Sequence, residues 1–152
     1  MFGPMIGLWK SLRTRVLGPA RRAQVAAICY RDTDQGRDVL LITSRDTGRW
    51  IVPKGWPIKG LNNADAALRE AWEEAGVSQA TVEEKPLGTF DYDKGLQSGK
   101  VAPVRAQVFV ARVLGLSKTF PEAGQRQRKW VSPKDAAKMV REPELKALLR
   151  AF

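Results

Sequence analysis

Three carboxylates stand within five residues of one another, in the segment Arg69-Glu70-Ala71-Trp72-Glu73-Glu74-Ala75. Glu70, Glu73 and Glu74 are spaced i, i+3 and i+4, so a helix projects all three from one face. Leu68, Ala71, Trp72 and Ala75 supply its apolar side. Like charges on one turn repel, and helix stability does not call for them. A hard divalent cation with oxygen ligands resolves that repulsion; a solvated acidic face paired with Arg69 and other bases is the competing explanation. The preceding stretch, Pro53-Lys54-Gly55-Trp56-Pro57-Ile58-Lys59-Gly60, is a glycine-rich loop feeding into the helix. Such a loop lets backbone carbonyls reach a metal and N–H groups reach phosphate, and Lys54 and Lys59 add positive charge. Lysines on a loop before stacked glutamates suit Mg²⁺-assisted attack on a phosphoanhydride.

Composition narrows the alternatives. The 152 residues include no histidine and one cysteine, Cys29. A Ser-His-Asp or Cys-His nucleophile system is therefore impossible within the chain, as is a zinc site of Cys and His ligands. One cysteine makes no intramolecular disulfide, which fits a reducing, cytoplasmic setting. Carboxylates, amines and a hard metal ion are left to do the chemistry. The formal net charge of +10 is unevenly placed. Residues 1–31 carry six basic groups and no acid, residues 32–121 balance twelve against twelve, and residues 122–152 carry eight bases and four acids. Such ends attract polyanions, whether nucleic acid, anionic lipid or polyphosphorylated small molecules.

The elements that must position the glutamates emerge from hydropathy patterning. Residues 1–19 form a basic extension in which Met5, Leu8, Trp9, Leu12 and Val16 fall at helical spacing. That pattern suits a packed helix or tail, or a weak membrane-surface contact. No run of 18 apolar residues occurs, so no spanning helix is expected. The domain is expected over residues 20–152. Residues 23–30 and 39–44 read as strands of a hairpin with Gly36 in its loop, and residues 50–53 as a short extended run. The stretch 54–63 reads as loop. Asn62 or Asn63 caps a helix running to Ala75, with Gly76 as its stop. Residues 81–93 read as a strand with a proline interruption, 104–114 as a long strand and 128–132 as a short one. Ser132-Pro133-Lys134-Asp135 opens a helix, and Pro143 divides the C-terminal helical stretch in two. The order is mixed α/β.

At this point the sequence resembles the Nudix hydrolase family, whose box reads G-x5-E-x7-R-E-U-x-E-E-x-G-U with U a bulky aliphatic residue. Gly55 and Arg69-Glu70-Ala71-Trp72-Glu73-Glu74-Ala75-Gly76-Val77 match at the correct spacing. Leu61 stands where the box has its first Glu, and Ala71 is smaller than usual. In the family that Glu chiefly braces the box arginine, so Leu61 bears on how loop and helix are held rather than on the core ligands. Residues 23–31, 39–57 and 128–136 extend the likeness to the subgroup around diphosphoinositol polyphosphate phosphohydrolases and their bacterial relatives. The resemblance implies an α/β/α sandwich with a central mixed β-sheet. It implies attack of water on a diphosphate linked to a further group, with Glu70, Glu73, Glu74 and the Gly55 carbonyl around Mg²⁺ or Mn²⁺. One of these glutamates, or Asp91, Asp93 or Glu122, acts as base, and Arg69 orients the glutamates.

Substrate contacts are expected from Lys54, Lys59, Arg45, Arg49 and Arg128, within a wider basic set of Lys94, Lys100, Arg126 and Lys129. An inositol pyrophosphate needs many cations. A dinucleoside polyphosphate needs aromatic platforms, for which Trp50, Trp56, Phe90 and Tyr92 are available. Two other readings compete: a catalytically weak polyanion-binding module of the same fold, and an enzyme acting on 5′-phosphorylated RNA ends through the basic arm. The sequence leaves oligomeric state open.

Overall fold

The computed structural model describes residues 20–152, and the expected 1–19 extension lies outside them. The first strand, β1 (Arg22–Thr33), turns through Asp34 and Gln35 into β2 (Gly36–Thr43), with Thr33 opposite Gly36 in antiparallel register. Alternation along these strands decides the architecture. Val25, Ala27 and Cys29 face one core with Leu40 and Ile42, while Ala26 and Ile28 face another with Val39 and Leu41. Successive residues point to opposite faces of a sheet, so a strand apolar at every position must be covered on both.

The covering layers are helical. Helix α1 (Asn63–Ala75) lies on the first face and buries Ala64, Ala66, Ala67, Ala71 and Ala75, whose short side chains let its axis sit close to the strands. Helices α2 (Pro133–Met139) and α3 (Pro143–Ala151) lie on the other, through Ala136, Ala137, Val140, Leu145 and Leu149. The result is an α/β/α sandwich. Its backbone is the long strand β7 (Val101–Leu116), which runs parallel to β1 over Arg22–Tyr30. The other pairings are antiparallel, so the sheet is mixed, in the order β3 (Trp50–Ile51), β2, β1, β7, β5 (Val77–Val82).

Three local readings are corrected. Residues 54 and 55, expected in a loop, form the two-residue strand β4 (Lys54–Gly55), paired with Ala26 and Val25 of β1, after β3 (Trp50–Ile51) on the β2 edge. The segment expected as one strand over 81–93 is two, β5 (Val77–Val82) and β6 (Gly88–Gly95), both antiparallel along the same side of β7. Pro86 has no N–H to give a ladder, yet Glu83 N–H and Leu87 N–H on either side still donate to β7 carbonyls at 3.0 and 2.8 Å. The long strand also reaches further in both directions than 104–114. Strand β8 (Arg128–Val131) closes against β2.

Helix boundaries follow the local chemistry. Asn62 Oδ1 accepts from the Asp65 N–H at 2.8 Å to start α1, and Gly76, at φ 72°, ends it in the left-handed conformation. Ser132 caps α2 by accepting from Asp135 N–H. Among the described residues no helix is long and apolar enough to cross a membrane.

Candidate active site

Short strand β4, paired with the central strand β1, meets helix α1, and that junction is built around an absent side chain. A Cβ on Gly55 would lie 2.4 Å from the carboxyl carbon of Glu70 and 2.5 and 2.7 Å from its oxygens. Only glycine lets the Glu70 carboxylate rest against the β4 backbone. One turn further on, Glu74 is buried, with 8% of its surface exposed. Its Oε1 accepts from the Lys54 N–H at 3.0 Å, which ties α1 to β4. The segment before β8 supplies the opposite wall. There the Glu122 N–H donates to the Glu73 carbonyl at 3.0 Å. The guanidinium of Arg126 donates to Glu122 Oε1 at 3.0 Å, to Glu74 Oε2 at 3.4 Å and to the Thr43 carbonyl at 3.1 Å. Lys54, Gly55, Glu70, Glu74, Glu122 and Arg126 line a cleft of about 350 Å³ that also takes in Arg45, Trp56, Tyr92 and Lys94.

Electrostatics follow from this crowding. Burial, then the charges of Glu74, Glu73 and Glu122, push Glu70 up to about 7. Glu74 is also raised, chiefly by burial, against the pull of Arg126 and the Lys54 N–H. Burial brings Lys54 down to about 8, its ammonium lying 5.2 Å from the Tyr92 ring centroid. Acidic groups held up and a lysine held down mark a dry, charge-dense site. The donor set is all oxygen, which suits a hard cation. Among the described residues no three acidic, cysteine or histidine side chains converge as a preformed metal cluster. Arg126 and Arg45 instead balance Glu74 and Glu122. The residues therefore fit a divalent cation in type and charge, and loading one requires their side chains to turn.

The expected site residues fall into three groups. Glu70, Glu74, Gly55, Lys54 and Arg45 share the cleft, whereas Glu73 is not among its lining residues. Lys59 is exposed on the loop before α1 and does not line it. Arg49 is drawn off to Glu142, with Nη2 2.7 Å from Oε1. Arg128 is not among the cleft's lining residues: Nη1 donates to the Ala75 carbonyl at 2.8 Å and the guanidinium covers the Phe120 ring. Arg69 is exposed, and among the described residues no ion pair joins it to the three glutamates. It lines, with Leu61, a separate groove of about 700 Å³ between α1 and β5. It is Arg126, expected in the wider basic set for substrate, that pairs with Glu74 and Glu122. Nothing in local spacing marks it, because it meets Glu74 from 52 residues away.

Of the three further carboxylates, only Glu122 enters the cleft. Asp91 is held by Arg105, whose hydrogen bonds keep its carboxyl below the usual range, and it also pairs with Arg21. Asp93 pairs with Arg21. Among the aromatics, Trp56 and Tyr92 line the cleft, while Phe90 is core and Trp50 packs against it.

A mixed sheet between helical layers, with carboxylates of one helix gathered against a glycine of the preceding strand, defines the class. The family model for the NUDIX domain matches residues 20–152, and the chain belongs to that family of hydrolases acting on pyrophosphate bonds. It is 30% identical over 134 residues to the mouse protein named diphosphoinositol polyphosphate phosphohydrolase 3-alpha, covering 86% of this chain and 77% of the relative. It is 33% identical over 137 residues to Nudix hydrolase 21, chloroplastic, of Arabidopsis thaliana, covering 86% of this chain and 66% of that protein. Among solved structures, the Ap4A hydrolase of C. elegans superposes with a TM-score of 0.65 at 23% identity, over 88% of this chain and 96% of that one. Nudix hydrolases generally use divalent metals such as Mg²⁺.

Proposed function

We propose that the cleft is a Mg²⁺-dependent (or Mn²⁺-dependent) pyrophosphohydrolase site for a short polyphosphate carrying an organic group, of the dinucleoside polyphosphate type. The observation that carries this reading is the Glu70 carboxylate pressed against the Gly55 backbone with Glu74 one turn away. Glu70, Glu73, Glu74 and the Gly55 carbonyl are assigned to hold the cation. Bound there, a divalent ion neutralises phosphate charge and makes a bound water acidic. Lys54, Lys94 and Arg45 receive the phosphate oxygens as charge-assisted donors. Glu122, the one of the three expected further carboxylates (Asp91, Asp93 and Glu122) that lines the cleft, is assigned as the group that accepts the water's proton. Arg126 holds Glu74 and Glu122 in place and is reserved for that task by its burial.

Charge arithmetic favours this substrate type. The cleft is lined by four cationic side chains, Arg45, Lys54, Lys94 and Arg126, and by four anionic ones, Asp46, Glu70, Glu74 and Glu122. That balance is poor for an inositol ring bearing phosphates on every side. Trp56, 36% exposed with the Arg22 guanidinium stacked on it, offers a surface for a planar base. Similarity to the Ap4A hydrolase fold agrees with this reading. Identity to the diphosphoinositol polyphosphate phosphohydrolases supports the alternative substrate class.

The test is a screen of purified protein with Mg²⁺ against diadenosine tetraphosphate, a diphosphoinositol polyphosphate, a nucleotide sugar and 5′-triphosphate RNA. Turnover of the dinucleotide at the highest kcat/KM supports the reading. Preference for the inositol compound or the RNA replaces the substrate assignment, and hydrolysis of none favours a binding module.

A further inference from the structure

A buried amide in the wall of the cleft has its acceptor engaged and its donors unengaged among the described residues. Gln24, on β1, exposes 2% of its surface and still lines the cleft. Its Oε1 accepts a hydrogen bond from the hydroxyl of Tyr92, on β6, which lines the cleft as well. A side-chain amide also carries two N–H donors, and among the described residues those of Gln24 meet no acceptor. Nor is the nitrogen walled in, since the enclosed side-chain atoms left unpartnered among the described residues belong to Arg49 and Glu142. The Gln24 nitrogen therefore opens on the cleft. Packing does not call for an amide there, because the next positions on the same face of β1, Ala26 and Ile28, are apolar core.

Sheet register brings the pair together. Gln24 lies opposite Ala106 of β7 and Tyr92 opposite Val104, so β1 and β6 flank that strand with the two side chains on one face. Strand β4 places Lys54 opposite Ala26, and the Lys54 ammonium lies 5.2 Å from the Tyr92 ring centroid. By donating to Oε1, the Tyr92 hydroxyl fixes which end of the amide faces inward: oxygen to the tyrosine, nitrogen to the cleft. A group that meets this nitrogen must bring an acceptor. The other donors around the cleft include Arg45, Lys54 and Lys94, and the acceptor that suits them all is a phosphate oxygen.

We propose that Gln24 contacts substrate, its amide N–H donating to a phosphate oxygen, and that Tyr92 is the positioning residue that fixes the amide for that contact. The inference rests on reading the cleft as a polyphosphate site. It gives the Tyr92 hydroxyl a task distinct from that of an aromatic platform.

The experiment measures binding of magnesium imidodiphosphate, a non-hydrolysable probe, to the full-length protein by calorimetry at fixed pH and salt. Thermal melts monitor folding of each variant. Gln24→Met keeps the length of the side chain and removes its donors. It is expected to weaken binding about ten-fold, with KM for the preferred substrate rising more than kcat falls. Tyr92→Phe keeps the ring beside Lys54 and releases the amide, and is expected to weaken binding about three-fold. Adding Tyr92→Phe to Gln24→Met is expected to cost nothing further, because the hydroxyl acts through the amide. A phosphate contact by Tyr92 itself predicts additive losses, and a pair that serves packing alone predicts lower melting temperatures with unchanged affinity. Wild-type affinity in Gln24→Met, or additive losses in the double variant, overturns the proposal. If Gln24→Met does not fold, Tyr92→Phe decides: about three-fold weaker binding supports the proposal and wild-type affinity overturns it. Absence of binding by the wild-type protein overturns both this inference and the polyphosphate reading, whereas binding untouched by Gln24→Met overturns this one only.

Discussion

At the scale of single residues, the site is a set of like charges kept together by burial. Glu70 is the clearest case, held near 7 first by desolvation and then by Glu74, Glu73 and Glu122. Its folded value lies above the ordinary 4.5. Between those two pH values the folded chain keeps a proton that the unfolded chain has lost, so stability falls as pH rises through the window. Glu74 acts in the same direction. Because Glu70 is only partly buried, solvent screening reduces its share to about 1–2 kcal/mol. Thermal melts in chelator at pH 5 and pH 8 are therefore expected to show a loss that is smaller in Glu70→Gln, and Mg²⁺ at pH 8 is expected to recover it. Equal pH dependence in wild type and Glu70→Gln would remove Glu70 from this account. The glutamates themselves were legible from their spacing. Their neighbours were not, because Arg126 reaches Glu74 and Glu142 reaches Arg49 only through tertiary packing.

At the scale of elements, the active geometry depends on the contact between β4 and α1. The helix was legible to within a residue, since Asn62 or Asn63 as cap and Gly76 as stop each have a local physical meaning, and Asn62 is the cap. The strand before it was not, because two residues carry no periodicity, and β4 exists only as a partner for Val25 and Ala26. Division of residues 77–95 into two strands was hidden for a related reason: Pro86 marks a break, but only the length of β7 shows that both halves share its edge. The junction makes Gly55→Ala informative. The new methyl meets the end of a flexible glutamate rather than backbone, so Glu70 can swing away. Stability is expected to change by less than about 1 kcal/mol while kcat/KM drops at least ten-fold. An equal fall of both would place the glycine in a structural role alone.

At the scale of the whole molecule, the mixed α/β class was legible from the order of elements and the sandwich from the family resemblance; strands apolar at every position are the physical reason that both faces are covered. The histidine-free composition and the neutral centre of an otherwise basic chain directed attention to carboxylates. The substrate side was less legible, since Lys59, Arg49 and Arg128 look alike in sequence and differ only in what they touch. Among the described residues, 20–152, the cleft is lined on every side named above, and removing residues 1–19 is expected to leave kcat/KM for a small substrate within about two-fold of the full chain; a large loss would assign the extension to the active domain. The central claim is that carboxylates of α1 support metal-dependent pyrophosphate hydrolysis. Its most direct test is the Mg²⁺ dependence of diadenosine tetraphosphate hydrolysis by wild type and by Glu74→Gln, with melts confirming that both are folded. The account predicts turnover that requires Mg²⁺ in the wild type and falls at least 100-fold in the folded variant; undiminished turnover in Glu74→Gln, or hydrolysis indifferent to Mg²⁺, would contradict it.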